Sequence, residues 1–193
     1  MKRFTPELLE RFGSVDDKIA DAASEEWERT HQAYVTHLKS IRPQLPRPLR
    51  QMLRRFCLHD AKVLTLAHDE RPFFSIFLKI DKPSDPLDRF LELNYRLARA
   101  PKFVRPKSTQ QGEKPFGWWL YDEVDVLKEE PVPVFLHSIL FTGGWELQLF
   151  FFDMTYSRLR KILFPKDDLD EECQIEELED DSTMAGLMKD CSR

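Results

Sequence analysis

No stretch of this sequence approaches the roughly 20 consecutive apolar residues that a helix needs to cross a bilayer. The longest apolar run is short and interrupted, as in Leu147-Gln148-Leu149-Phe150-Phe151-Phe152. The opening MKRFTPELLERF has no uninterrupted apolar stretch after its basic start and no small-residue cleavage site, so no secretion signal is expected. Cysteine is scarce. Cys57, Cys173 and Cys191 are odd in number, widely spaced and form no CxxC pair, which predicts reduced thiols in a cytoplasmic protein. Glycine is scattered over six positions with Gly143-Gly144 the only pair, so no phosphate-cradling loop is present. GxSxG, HExxH and HxH spacings are all missing, and with them the usual nucleophile and metal signatures.

What is present suffices for one well-buried domain with at most an appendage. Fifteen Phe among 193 residues predict a thick aromatic core. The formal net charge of -5 is unevenly placed: residues 166–181, KDDLDEECQIEELEDD, carry -9, residues 182–193 carry +1, and residues 1–165 therefore carry about +3. We read a single mildly basic domain over 1–165 followed by an acidic tail over 166–193, a composition typical of solvating segments. A body this weakly basic argues against nucleic acid as partner, which requires a concentrated Lys/Arg face.

The N-terminal third reads as helical. Thr5-Pro6-Glu7 is a helix start with Thr as cap and Pro at the first position, and Gly13 can end that helix. Ser14 or Asp16 can cap a second helix whose apolar stripe is Ile19, Ala23, Trp27, Tyr34, Leu38 and Ile41. Pro43 and Pro46 stop it. A third helix is expected through Leu49, Met52, Leu53 and Phe56 toward His59. The period then changes to two. Strands are expected at Lys62–Leu66, Phe73–Ile80, 89–98, Gly117–Lys128, Val132–Phe141 and Trp145–Met154, with Tyr156–Phe164 a short helix or a closing strand. Segment 89–98 also fits a helix; its place between strand candidates favours strand. Residues 105–115 form a polar loop, and Thr142-Gly143-Gly144 marks a hairpin whose glycines tolerate positive φ. The expected architecture is α+β: an N-terminal helical layer packed on one face of a largely antiparallel sheet of five to seven strands.

Three constellations could carry function. His59-Asp60 and Asp122 with His137 together offer a carboxylate–His kit for general acid–base work or a metal, provided the four side chains converge. The opposing reading makes His59 a helix-terminal residue facing unpaired carbonyls and Asp60 a turn residue. Strict alternation in FGWWLYDEVDVL puts Asp122 in an apolar row with Trp118, Leu120, Val124 and Val126, where it needs a partner unless a bulge turns it outward. Glu123 and Asp125 fall on the other face, either solvated or forming an acidic recess. The third constellation is the acid-free stretch Lys39–Arg55, in which Arg47, Arg50 and Arg54 recur on one helical stripe. The stripe can bind an anionic partner, remain a solvated face, or receive the acidic tail.

Phe4-Thr5-x-Glu7-Leu8, Leu58-His59-Asp60-Ala61, Tyr121-Asp122-Glu123 and Leu140-Phe141-Thr142-x-Gly144-Trp145-Glu146-Leu147 resemble the corresponding segments of an uncharacterised bacterial family catalogued only as a domain of unknown function. The resemblance spans about residues 1–155 and implies a bacterial cytoplasmic protein without supplying an activity. The function expected from the residues is a non-enzymatic protein-binding module, immunity-like in one concrete version, with no cofactor and no metal. The competing expectation is a small hydrolase or metal-dependent enzyme using His59, Asp60, Asp122 and His137. A face carrying Trp145 and the nearby Phe residues is a candidate homodimer surface.

Overall fold

A computed structural model describes residues 1–68, 72–81, 83, 88–106, 116–127 and 132–159. Among them are three α-helices, α1 (Pro6–Phe12), α2 (Asp17–Ile41) and α3 (Arg47–Arg55). Seven strands follow: β1 (Ala61–His68), β2 (Phe73–Lys79), β3 (Phe90–Leu97), β4 (Lys102–Val104), β5 (Trp118–Leu127), β6 (Val134–Phe141) and β7 (Glu146–Leu159). Local chemistry places the helix starts. The Thr5 hydroxyl accepts the Leu8 amide at 3.2 Å, and an Asp16 carboxylate oxygen accepts the Lys18 amide at 2.9 Å. Leu8 on α1 and Ala23, Tyr34 and Ile41 on α2 are buried as the stripe predicts, whereas Ile19 is exposed.

All strand pairings are antiparallel, so the α+β class and the N-terminal helical layer hold. The open sheet does not. The order β3-β2-β1-β5-β6-β7 is closed by pairing of β7 with β3, giving a six-stranded barrel. One edge of β7 pairs with β6 along Glu146–Phe151. The other pairs with β3 along Phe151–Leu159 and with β4 along Glu146–Gln148, so β4 continues the line of β3. Irregularities at Val63/Thr65, Arg96/Leu97 and Trp119/Tyr121 supply the local bends that closure requires. The seam between β1 and β5 is the shortest junction of the ring, two residue pairs at Ala61–Trp119 and Lys62–Trp118.

The barrel interior is a packed core. Trp119, Tyr95, Phe74, Phe141 and Phe151 are its largest fully buried side chains, and each contributes about 1.5–3 kcal/mol of burial. Leu49 and Met52 of α3 join the same apolar cluster, so α3 packs on the barrel core. Helix α2 lies against β5 on the outer wall, where the Tyr34 hydroxyl accepts the Val124 amide at 2.8 Å.

Several expectations shift by a few residues for identifiable reasons. The third helix ends at Arg55, short of His59, because Phe56 turns extended and places its ring edge-on to Tyr156. Segment 89–98 is a strand bonded on both edges, and Tyr156–Leu159 is the closing strand that completes the ring. Gly143 and Gly144 both sit at φ 75 in the β6–β7 turn. The polar loop beyond Pro106, residues 69–71 of the first turn, Pro131, the end of the Tyr156–Phe164 segment and the acidic tail lie outside the described residues.

Candidate functional site

The bulge in β5 is where the candidate residues part company. One residue is added between Trp119 and Tyr121, so Trp119 and Asp122, three apart, both face the barrel interior. The Trp119 indole N–H donates to Asp122 Oδ1 at 3.1 Å, and His137 Nε2 lies 3.1 Å from Asp122 Oδ2. A carboxylate only accepts, so Nε2 donates to Asp122, while Nδ1 lies 2.9 Å from the Tyr95 hydroxyl. Tyr95 and His137 are fully buried, while the Asp122 side chain keeps 21% exposure. Burial, with the Asp122 charge second, holds the Tyr95 phenol well above its ordinary pKa, so it remains a donor.

Asp122 and His137 thus meet, as a carboxylate inside an apolar row demands. The strict alternation that placed Trp118 and Leu120 beside Asp122 is broken by the bulge. The resulting chain, Tyr95–His137–Asp122–Trp119, has the composition of an acid–base relay. Both imidazole nitrogens are already bonded inside the core, which leaves neither for a substrate.

His59 and Asp60 lie on the outside. Asp60 adopts φ 62, the left-handed turn its position requires, and its amide donates to the Trp119 carbonyl at 2.8 Å. His59 Nδ1 donates to the carbonyl of the bulge residue Leu120 at 2.6 Å, and its ring lies 4.9 Å from that of Tyr121. Its Nε2 is 3.5 Å from Asp60 Oδ2, with both side chains substantially exposed. The pair therefore clamps the bulge from outside while Asp122 emerges from it inside. No described hydrogen bond, ion pair or ring contact joins His59 or Asp60 to Asp122 or His137. Among the described residues no group of three or more His, Cys, Asp or Glu could hold a metal.

Glu123 and Asp125 form the acidic recess, and the first four residues of the chain fill it. Glu123 Oε1 accepts the amides of Arg3 and Phe4 at 2.6 and 2.7 Å, and Oε2 accepts that of Lys2 at 3.1 Å. Lys2 Nζ reaches Asp125 Oδ2 at 2.9 Å, and His37 Nε2 lies 2.7 Å from Asp125 Oδ1. The Met1 amine contacts Glu146. Phe4 is enclosed by Trp27, Tyr34 and Tyr121, with ring centroids 4.8, 5.7 and 5.4 Å away. The strap brings together segments far apart in sequence: Phe4, His59, Tyr121, Glu123 and Glu146 all contribute to one corner. Nothing in MKRF signalled this use, because the partners are about 120 residues away in sequence.

The arginine row is differently placed. α3 turns Leu49 and Met52 into the core, leaving Arg47 and Arg54 exposed and Arg50 half-buried. None of the three forms a hydrogen bond or ion pair among the described residues. Their neighbour Arg55 is paired with Asp88 through Nε and Nη2, both at 3.1 Å, and Arg158 approaches the same carboxylate at 3.4 Å. On β7 and the turn before it, Phe150, Phe152 and Trp145 are each covered by a guanidinium, those of Arg99 at 4.2 Å, Arg96 at 5.4 Å and Arg105 at 5.8 Å. That cover explains how Phe150 and Phe152, on the outer face of β7, are kept half-buried.

A scan against protein-family models matched none, and a search of the curated proteins found no match. No helix among the described residues is long and apolar enough to cross a membrane.

Proposed function

We propose that this protein is a non-enzymatic protein-interaction module of the bacterial cytoplasm, and that the arginine row of α3 is the surface that engages its partner. The observation that carries this reading is the state of Arg47, Arg50 and Arg54. They line the solvent side of a helix that has no acid of its own and whose apolar side is committed to the core. Guanidinium groups that have no partner among the described residues, on a rigid element, suit a partner presenting clustered carboxylates, which they can grip in bidentate fashion. An immunity-like protein that masks a toxin or another bacterial protein is one concrete form.

The hydrolase or metal-enzyme reading draws support from a single contact, Asp122 with His137. The internal bonding of both ring nitrogens and the separation of His59 and Asp60 from that pair weigh against it.

The test is affinity capture from native cytoplasm with the parent chain and with Arg47→Gln/Arg54→Gln, which alters exposed residues only. A stoichiometric acidic partner is expected with the parent, weakened at least tenfold by the double substitution and by raised salt. Equal recovery by both chains, or recovery of no stoichiometric partner, would reject the surface.

A further inference from the structure

We propose that residues 166–181 of the same chain dock on the arginine row of α3 and compete there with the protein partner. The inference rests on the reading of that row as a binding surface. It draws on charge, reach and position together.

The occupant is the most acidic segment of the chain. Ten carboxylates and one lysine fall within sixteen residues, whereas no acid occurs between Lys39 and Arg55. Position favours α3 over the other basic surface. β7 ends at Leu159, paired with Phe90, and its last residues run beside the end of α3. The Phe56 and Tyr156 rings meet edge-on at 5.4 Å, and Arg55 and Arg158 share Asp88. The chain therefore leaves the barrel next to the helix that carries Arg47, Arg50 and Arg54. Six residues separate Leu159 from Lys166, and they span about 20 Å when extended. The nine residues of α3 rise about 14 Å, so the acidic segment reaches the whole row. Along β7 and the turn before it the guanidiniums of Arg96, Arg99 and Arg105 lie over aromatic rings, and a carboxylate arriving there would disturb those contacts. A tether this short holds the segment at an effective concentration on the order of millimolar, which makes it a strong competitor for any partner of similar charge.

Two native cysteines report on the contact. Cys57 is exposed two residues beyond α3, and Cys173 lies in the middle of the acidic segment. In the full chain carrying Cys191→Ser, the rate of Cys57–Cys173 disulfide formation under a mild thiol oxidant reads how often the segment visits the row. At low salt it is expected to exceed, by about tenfold, the rate in 1 M salt, where the screening length shrinks to about 3 Å. Neutralising the segment by Glu171→Gln, Glu172→Gln, Glu176→Gln, Glu177→Gln and Glu179→Gln should slow it comparably, and so should Arg47→Gln/Arg54→Gln. Rates that agree within twofold across salt and all variants would overturn the docking.

The underlying surface reading is tested separately, by binding of labelled polyglutamate to the full chain with the neutralised segment. Binding that weakens at least tenfold with Arg47→Gln/Arg54→Gln supports the surface. Absence of such binding rejects it, whatever the disulfide rates show.

Discussion

Glu123, on the outer wall of β5, accepts the backbone amides of Arg3 and Phe4 at 2.6 and 2.7 Å. The carboxylate is almost fully buried, and Arg3 Nη1 approaches it at 3.5 Å. One side chain thus satisfies a length of backbone that has no strand or helix of its own, and so fixes the strap over the aromatic cluster of Trp27, Tyr34 and Tyr121.

Replacing Glu123 with Ala should therefore cost more than a surface carboxylate would. It orphans three amides and an arginine at once, and hydrogen bonds to a charged group contribute about 1.5–3 kcal/mol each before relaxation. We expect a loss of about 2–4 kcal/mol, with Glu123→Gln intermediate. Urea unfolding measures it. A loss below about 0.5 kcal/mol, the range of an ordinary surface change, would mean that the strap is not held by this residue.

The internal relay should behave as a structural strut. His137→Ala leaves a void in the barrel and strips partners from the Tyr95 hydroxyl and Asp122, so a destabilisation of about 3–5 kcal/mol is expected. Asp122→Asn keeps an acceptor of the same shape and should cost about 1–2 kcal/mol. The enzyme reading makes a different demand: Asp122→Asn would keep the fold and abolish a measurable hydrolysis. A substrate screen of the parent and this variant, run beside denaturation, separates the two.

The corner at His59-Asp60 can be tested through its backbone. Asp60 sits at φ 62, where a Cβ is disfavoured by about 1–2 kcal/mol. Asp60→Gly should be neutral or slightly stabilising, whereas Asp60→Ala keeps the strain and loses the polar side chain. Gly144→Ala is the converse case: φ is +75, and an added Cβ would lie 3.2 Å from Pro106 Cβ, so a loss of about 1–3 kcal/mol follows. Thermal unfolding of the three variants gives the order. If Asp60→Gly were as damaging as Gly144→Ala, the carboxylate would have a role beyond the turn.

Alkaline pH should weaken the fold through its tyrosines. Tyr34, Tyr95 and Tyr121 are all raised above the ordinary value near 10, each chiefly by burial. Nearby negative charge adds to this, from Asp122 for the first two and from Asp60 for Tyr121. With the folded pKa above the unfolded one, the native state holds more protons at high pH, so this stabilisation is intact below pH 10 and declines above it. For the two deeply buried phenols the decline approaches about 1.4 kcal/mol per pH unit each. Absorbance of tyrosinate against pH should show these three ionising late and together with unfolding. Ionisation near pH 10 with the fold intact would contradict the buried network.

Much of the scaffold was legible because it depends on neighbours in sequence. The Thr5 and Asp16 caps, the stripe from Ala23 to Ile41, the period-two strands and the paired glycines at 143 and 144 all express local hydrogen bonding or alternation. The need of Asp122 for a partner also followed from a charge interrupting an apolar row, although the row left His59 and His137 as alternatives. Barrel closure did not follow, because alternation marks which face is apolar and is silent on curvature. Closure instead depends on one bulge in each of β1, β5 and β7 and on a fourteen-residue β7 long enough to pair with both ends of the sheet. The separation of His59 from His137 was likewise undecidable, since a single extra residue in β5 determines which side chains turn inward. The amino acids alone determined most of the elements, though not the short β4 or the continuity of β7, together with the charge division and the row of arginines. Tertiary structure decided the ring, the strap and the partners of the buried carboxylates, because those contacts join residues up to 145 positions apart, whose proximity no local pattern encodes.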